Sequence, residues 1–129
     1  MIVVEGRVLM VERGKEPLKG WWSLPGGLVE MGERLEAAMR REVREETGLE
    51  VEIEHLLEVF ERIIRDGEGK AEYHYVLVDY ICRMTGGVLQ AGDDASAVRW
   101  VAEDELDGML ITEGTAGVIR KGFEWLRNR

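Results

Sequence analysis

A single cysteine, Cys82, leaves this chain without a partner for an intramolecular disulfide, and a lone thiol in a strand-like run reads as a small buried hydrophobe in a reducing compartment. No apolar run approaches the length of about 20 residues that crosses a bilayer. The first residues also lack the basic-then-apolar order of a signal peptide. No membrane partner is expected, and the expected location is the cytoplasm. Low-complexity tracts and internal repeats are absent, and proline occurs only twice, so ordered structure is expected throughout. Positive charge is scarce as well: 17 Lys and Arg stand against 26 Asp and Glu, a net charge of -9. That balance excludes an extended nucleic-acid surface, which needs clustered basic side chains to displace counterions. An anionic substrate should therefore be small and met through a cation.

What remains is a chain of 129 residues, one domain spanning 1–129 and long enough to bury a core. The opening MIVVEGRVLMVERG reads as two β-branched runs around Glu5-Gly6, a hairpin signal. GWWSLPGG, from Gly20, is a short apolar piece closed by Pro25-Gly26-Gly27. A helix is predicted from about Arg34 to Thr47, with Gly48 just past its end. LEVEIEHLLEVFERII and AEYHYVLVDYICRM are predicted strands joined by the polar turn RDGEGK. AVRWVAEDEL gives a further strand and a helical turn. From Thr112 or Glu113 to about Arg127 a second helix carries Ile119, Phe123 and Leu126 on one stripe, with Trp125 beside it. The order predicts an α+β domain with strands before, between and after two helices.

The first helix raises a functional question. Advancing 100° per residue, Leu35, Ala38 and Met39 share a face that Glu42, Glu45 and Glu46 continue. Ala37, Arg40 and Arg44 lie opposite. Carboxylates at i, i+3 and i+4 repel by a few tenths of a kcal/mol per pair when exposed, and by more when partly buried. A solvated helix would keep such charges on its outer side. Oxygen ligands on a rigid helix suit a hard cation such as Mg²⁺ or Mn²⁺, whereas zinc would call for a Cys/His cluster.

Read from Gly27, GLVEMGERLEAAMRREVREETGL fits the Nudix box at Gly27, Glu33, Arg41, Glu42, Val43, Glu45, Glu46, Gly48 and Leu49. The LPGG before it is similar to the lead-in common in that family. The chain therefore resembles a Nudix hydrolase. The resemblance implies a Nudix fold, a mixed β-sheet sandwiched between α-helices, with the box forming a loop, a helix and a loop. It also implies a metal-dependent pyrophosphohydrolase that splits a nucleoside diphosphate linked to a group X into a nucleoside monophosphate and phosphorylated X. By the same resemblance Glu42, Glu45 and Glu46 hold Mg²⁺ or Mn²⁺, the backbone carbonyl of Gly26 completes the site, and Glu33 and Arg41 brace the loop, with Gly27 and Gly48 as fixed points of the box.

A pyrophosphohydrolase also needs a base. The family takes it from the box or from a downstream loop, and here Glu42 is the first choice in the box. Of the two acids offered by AGDDAS, Asp93 and Asp94, the first choice is Asp94. Arg34 stands where a Ser or Thr cap is expected, so Glu33 is the alternative helix cap. Trp22 stacking on a base and Arg13 meeting a phosphate are the substrate-binding candidates, although a tryptophan before a Pro-Gly turn more commonly anchors a loop.

Markers of family sub-groups are missing. Arg65 stands where ADP-ribose hydrolases often carry proline, and Asp66 and Gly67 stand where dinucleoside polyphosphate hydrolases often carry tyrosine. ADP-ribose-like compounds, sugar nucleotides and nucleoside triphosphates all stay open, as does a homodimer. The alternative reading is a non-catalytic Nudix-fold module that binds nucleotides for regulation.

Overall fold

A computed structural model of the chain describes residues 1–129. The hairpin forms as the sequence suggests: Glu5 and Gly6 take φ of 51° and 77°, and the turn joins β1 (Val3–Val4) to β2 (Arg7–Arg13). Along β2, Val8 and Met10 enter a cluster with Val118, Ile119 and Phe123, while Leu9 enters another with Val43. Ile81 and Cys82 divide the same way. A strand's side chains alternate between faces, so each face of the sheet meets a different helix. One fully buried aliphatic chain contributes about 1.5–3 kcal/mol, and a slip by one residue would exchange the two sets.

The remaining elements are β3 (Trp22–Ser23), α1 (Leu35–Thr47), β4 (Leu49–Arg65), β5 (Ala71–Gly87), β6 (Ala95–Ala102), a 3-10 helix (Glu103–Gly108) and α2 (Thr115–Arg127). β2 pairs antiparallel with β1, β3 and β6, while β4 and β5 form a long antiparallel hairpin. A parallel bridge from Ile2 to Cys82, with Cys82 N–H donating to Met1 O at 2.7 Å, joins the two parts into a mixed arrangement. Four register shifts along β4 and β5 bend the hairpin and blunt its edge. No helix is long and apolar enough to cross a membrane.

Two details of α1 differ from the sequence expectation. Its buried residues are Ala38, Val43, Glu46 and Thr47, whereas Leu35 is exposed, so the stripe is rotated towards Val43 and only Glu46 of the three glutamates is buried on it. Glu33 does not cap the helix: Arg34 occupies the cap position without a side-chain bond, because the Glu33 carboxylate is taken by Arg41. The C-terminal end is as expected, with Gly48 left-handed at φ 76° and its N–H bonded to Arg44 O.

Helix α2 begins slightly later than its apolar pattern suggests. Gly114 precedes it at φ 86°, where a Cβ would lie 2.7 Å from the Phe60 ring. At its far end Trp125 stacks on His55 at 5.0 Å.

Candidate active site

The loop before α1 and the loop after β5 converge on the second half of that helix. Gly92 N–H donates to Glu46 O at 3.0 Å and Gln90 N–H to Thr47 O at 2.9 Å, satisfying carbonyls that the helix end leaves unpaired. A Cβ on Gly92 would lie 2.6 Å from Glu45 O, so the approach requires glycine. The next residue, Asp93, has φ 51° and brings its carboxylate to Glu42 and Glu45, with one oxygen of each residue within 4.8 Å of the others.

From the other side, Gly26 N–H donates to Glu46 Oε2 at 3.2 Å. A Cβ on Gly27 would lie 2.5 Å from Glu42 Cδ, so only glycine lets the Glu42 carboxylate rest against the loop. The glycine at 27 is thus explained by the carboxylate it receives, whereas a Cβ on Gly26 would meet nothing within 4 Å.

Arg41 stands behind this cluster. Its Nε donates to Glu33 Oε2 at 2.7 Å, its Nη2 to Glu33 Oε1 at 2.9 Å and to Leu28 O at 3.1 Å, and its Nη1 to Glu42 Oε1 at 2.9 Å and Glu45 Oε2 at 3.1 Å. Glu33 Oε1 also accepts from Glu30 N–H at 3.0 Å. The hydrogen bonds from Arg41 hold the Glu33 carboxyl down at about 2. The resemblance to the Nudix box implies the brace to Glu33; the reach of Arg41 to Glu42 and Glu45 appears only in the structure.

The other carboxylates are shifted the opposite way. Burial pushes Glu46 up to about 8, against the Gly26 N–H, which lowers it, while Glu42 and Asp93 add repulsion and Arg13 opposes it. Burial also raises Glu42, more than the Arg41 hydrogen bond lowers it. Carboxylates near a helix C-terminus face the negative end of its dipole as well. An all-oxygen set with one cation behind it and unrelieved repulsion in front fits a hard divalent cation.

The other candidate residues fall in different places. Asp94 turns away from Glu42: its Oδ1 lies 2.7 Å from Lys15 Nζ, and its backbone O accepts from Gly14 N–H at 2.8 Å. Of the two acids in AGDDAS, it is Asp93 that joins the cluster. Trp22 is partly buried against the larger core cluster, and its backbone N–H donates to Leu110 O at 2.8 Å. Arg13 Nε donates to Pro17 O at 2.8 Å, yet its charge is felt by Glu46 and by Arg62. Arg62 is a residue that the sequence pattern did not single out; the signal was an arginine at an inward position of β4, between Phe60 and Ile64.

The NUDIX domain model matches residues 1–126 of the chain. The chain is 41% identical over 95 residues to the ADP-ribose pyrophosphatase of Methanocaldococcus jannaschii, covering 74% of this chain and 54% of that protein. It is 38% identical over 93 residues to the human 8-oxo-dGDP phosphatase NUDT18 (Homo sapiens), covering 72% of this chain and 26% of that one. The chain thus spans about half, or less, of these relatives' length. Among solved structures, a MutT NUDIX hydrolase from Burkholderia pseudomallei superposes with a TM-score of 0.75 at 31% identity, covering 93% of this chain and 91% of that one. With the box residues gathered at the end of α1 and the family match running over nearly the whole length, the chain belongs to the Nudix hydrolase family.

Proposed function

We propose that the chain is a divalent-cation-dependent pyrophosphohydrolase acting on a nucleoside diphosphate derivative of the ADP-ribose type, releasing a nucleoside monophosphate and the phosphorylated second group. The observation that carries this reading is the convergence of Glu42, Glu45 and Asp93 within 4.8 Å beside the buried Glu46. The ADP-ribose class follows the name of the archaeal relative; oxidised nucleoside diphosphates, after the human one, are the competing class.

In this reading Glu42, Glu45, Glu46 and Asp93 hold Mg²⁺ or Mn²⁺. The cation supplies charge neutralisation on the phosphate oxygens and a more acidic water. Arg41 fixes one oxygen of Glu42, and Oε2 has no protein partner, which suits it to take a proton from the attacking water. Gly26 orients Glu46 through its N–H, and the charge of Arg13 favours the ionised form of Glu46.

The non-catalytic alternative gives no reason to keep repelling carboxylates on a half-buried helix. The test is release of monophosphate from ADP-ribose, sugar nucleotides, 8-oxo-dGDP and nucleoside triphosphates, with and without Mg²⁺. Metal-dependent cleavage of ADP-ribose above the others is expected. Tight nucleotide binding with no cleavage of any compound would instead establish a binding module.

A further inference from the structure

Alternation along the β4–β5 hairpin gives its outer half two unlike faces. From Glu58 opposite Asp79 to Ile64 opposite Tyr73 the register runs without a shift, so Phe60, Arg62 and Ile64 point one way and Val59, Glu61 and Ile63 the other. The first face is covered: Phe60 packs against the core cluster that holds Val118, Ile119 and Phe123, and Arg62 Nη2 donates to Thr115 Oγ1 at 3.1 Å. The second face is open. On it Leu56, Val59, Ile63 and Val76 are exposed by 47%, 52%, 39% and 67%, with Val78 paired opposite Val59. None of these five side chains belongs to either buried cluster.

Helix α1 accounts for where the cover stops. Met39 and Val43 share a cluster with Ile53, Tyr80 and Cys82 on the inner part of this face, and the helix begins only one turn before Met39, at the exposed Leu35. Past Leu56, which pairs with Tyr80, no helix packs on the face. Its exposed apolar side chains amount to roughly 400 Å², the size at which a patch on a single chain is commonly an interaction site. Contacts between identical chains are about 65% apolar, so two such faces with their polar rims would bury about 1,200 Å² in all, the lower end of the range for a stable interface.

We infer that this face is the contact between two copies of the chain, packed sheet on sheet about a two-fold axis. A regular β-face is complementary to another regular β-face at a spacing of about 10 Å. A net charge of -9 leaves it unsuited to an anionic membrane or a nucleic acid. The charges on the face select the axis. Glu61 on β4 and His74 on β5 lie 2.6 Å apart across the strands. With the axis along the strands, β4 of each copy lies over β5 of the other, and Glu61 of one meets His74 of the second. An axis across the strands would instead lay β4 on β4, glutamate side to glutamate side. The contact is isologous and closes at two copies. The carboxylate row lies on the second half of α1, away from this end of the hairpin, so the inference does not depend on the hydrolase reading.

The test is sedimentation equilibrium of the wild type, Val76→Lys, Val59→Lys and Val88→Lys from micromolar to hundreds of micromolar. The wild type should reach twice the chain mass of 14.7 kDa, and its melting temperature should rise with concentration. Val76→Lys and Val59→Lys place an unpaired charge inside the contact and should weaken dimerisation about a hundredfold or more. Both positions are open to solvent in a single chain, so each variant should keep the wild-type circular dichroism, and Val59→Lys carries the test should Val76→Lys not fold. Val88 is 80% exposed and lies outside this face, so Val88→Lys should dimerise as the wild type does. A wild type that keeps the mass of one chain throughout overturns the proposal, as does a dimer that survives a folded lysine variant of the face. An equal loss in Val88→Lys, or a series of species growing beyond two chains, overturns it too. A single-chain wild type that binds phosphatidylcholine vesicles, and loses that binding in Val76→Lys, assigns the face to a neutral lipid surface instead.

Discussion

Glu33 and Glu46 belong to the same box and sit in opposite electrostatic states. Glu33 is gripped by both donor arms of Arg41 and by Glu30 N–H, and its carboxyl is held near 2. Glu46 is more deeply buried, receives a single backbone N–H, and is pushed up to about 8 by that burial. One region supplies its own counter-charge; the other supplies repulsion. A folded chain keeps the first arrangement for structure, whereas the second becomes favourable only when positive charge arrives from outside. The acidic row is thus distinguished from an ordinary charged helix by what fails to pair with it. Arg41, placed between the two regions, faces Glu33 with two of its nitrogens and turns only Nη1 to Glu42 and Glu45.

The sharpest way to break this contrast is to neutralise one member of each region. Glu46→Gln removes charge where none is offset. It should reduce Mg²⁺-dependent turnover by on the order of a hundredfold or more, the usual scale for loss of a preorganised electrostatic group in an active site. The metal-free variant should melt no lower than wild type, since metal-free Glu46 holds its proton up to about pH 8 and glutamine keeps an oxygen for the Gly26 N–H. Glu33→Gln should do the reverse, lowering the melting temperature by loosening the loop from Arg41 while retaining more turnover than Glu46→Gln. Turnover assays and calorimetric melting of the two purified variants decide it; a greater turnover loss in Glu33→Gln would reverse the assignment of roles.

A finer test separates neighbours. Asp93→Asn should weaken Mn²⁺ binding, measured by titration, and reduce turnover substantially. Asp94→Asn, which disturbs only the exposed contact with Lys15, should stay close to wild type in both. If the two variants exchange behaviour, the loop after β5 moves when substrate or cation binds.

Much of this could be read from the sequence, for identifiable reasons. The box has fixed spacing, so Glu42, Glu45 and Glu46 could be named before their positions were known, and alternation in VLMVER placed β2. What escaped depended on choices that local pattern does not encode. Asp93 and Asp94 are identical in type, and only the left-handed backbone at Asp93, with Gly92 packed on the helix end, determines which one meets the row. The 100° projection placed Leu35 inside, but the core contacts of Val43 rotate the helix and leave Leu35 in solvent. Glu33 looked like a cap because its position allowed one, yet Arg41 offers it stronger bonds than a helix-end N–H. Trp22 was ambiguous by chemistry, and the backbone pairing of its strand with the segment before α2 was not legible in the local pattern.

The last effect expected concerns stability against pH in chelated protein, and its sign follows from the same contrast. In the unfolded chain Glu46 releases its proton near the ordinary value of 4.5; in the folded chain it holds the proton until about 8. The stability this proton confers is complete below 4.5 and is lost as pH rises through 8. Each tenfold difference in proton affinity between the two states corresponds to about 1.4 kcal/mol, so the upper limb amounts to a few kcal/mol in order of magnitude. Glu42 contributes in the same direction. Glu33 acts in the other window: its bond to Arg41 is complete above the ordinary value of 4.5 and is lost as pH falls towards 2. Metal-free protein should therefore melt highest near the junction of these windows and lose melting temperature between about pH 5 and 8. Glu46→Gln should flatten that upper limb, Glu33→Gln the lower one, and Mg²⁺ should raise melting most at pH 8, where the row is most fully ionised. A profile that stays level from pH 5 to 8 in the chelated wild type would show that the row is relieved by some contact within the chain, and the distinction between its two charged regions would then collapse.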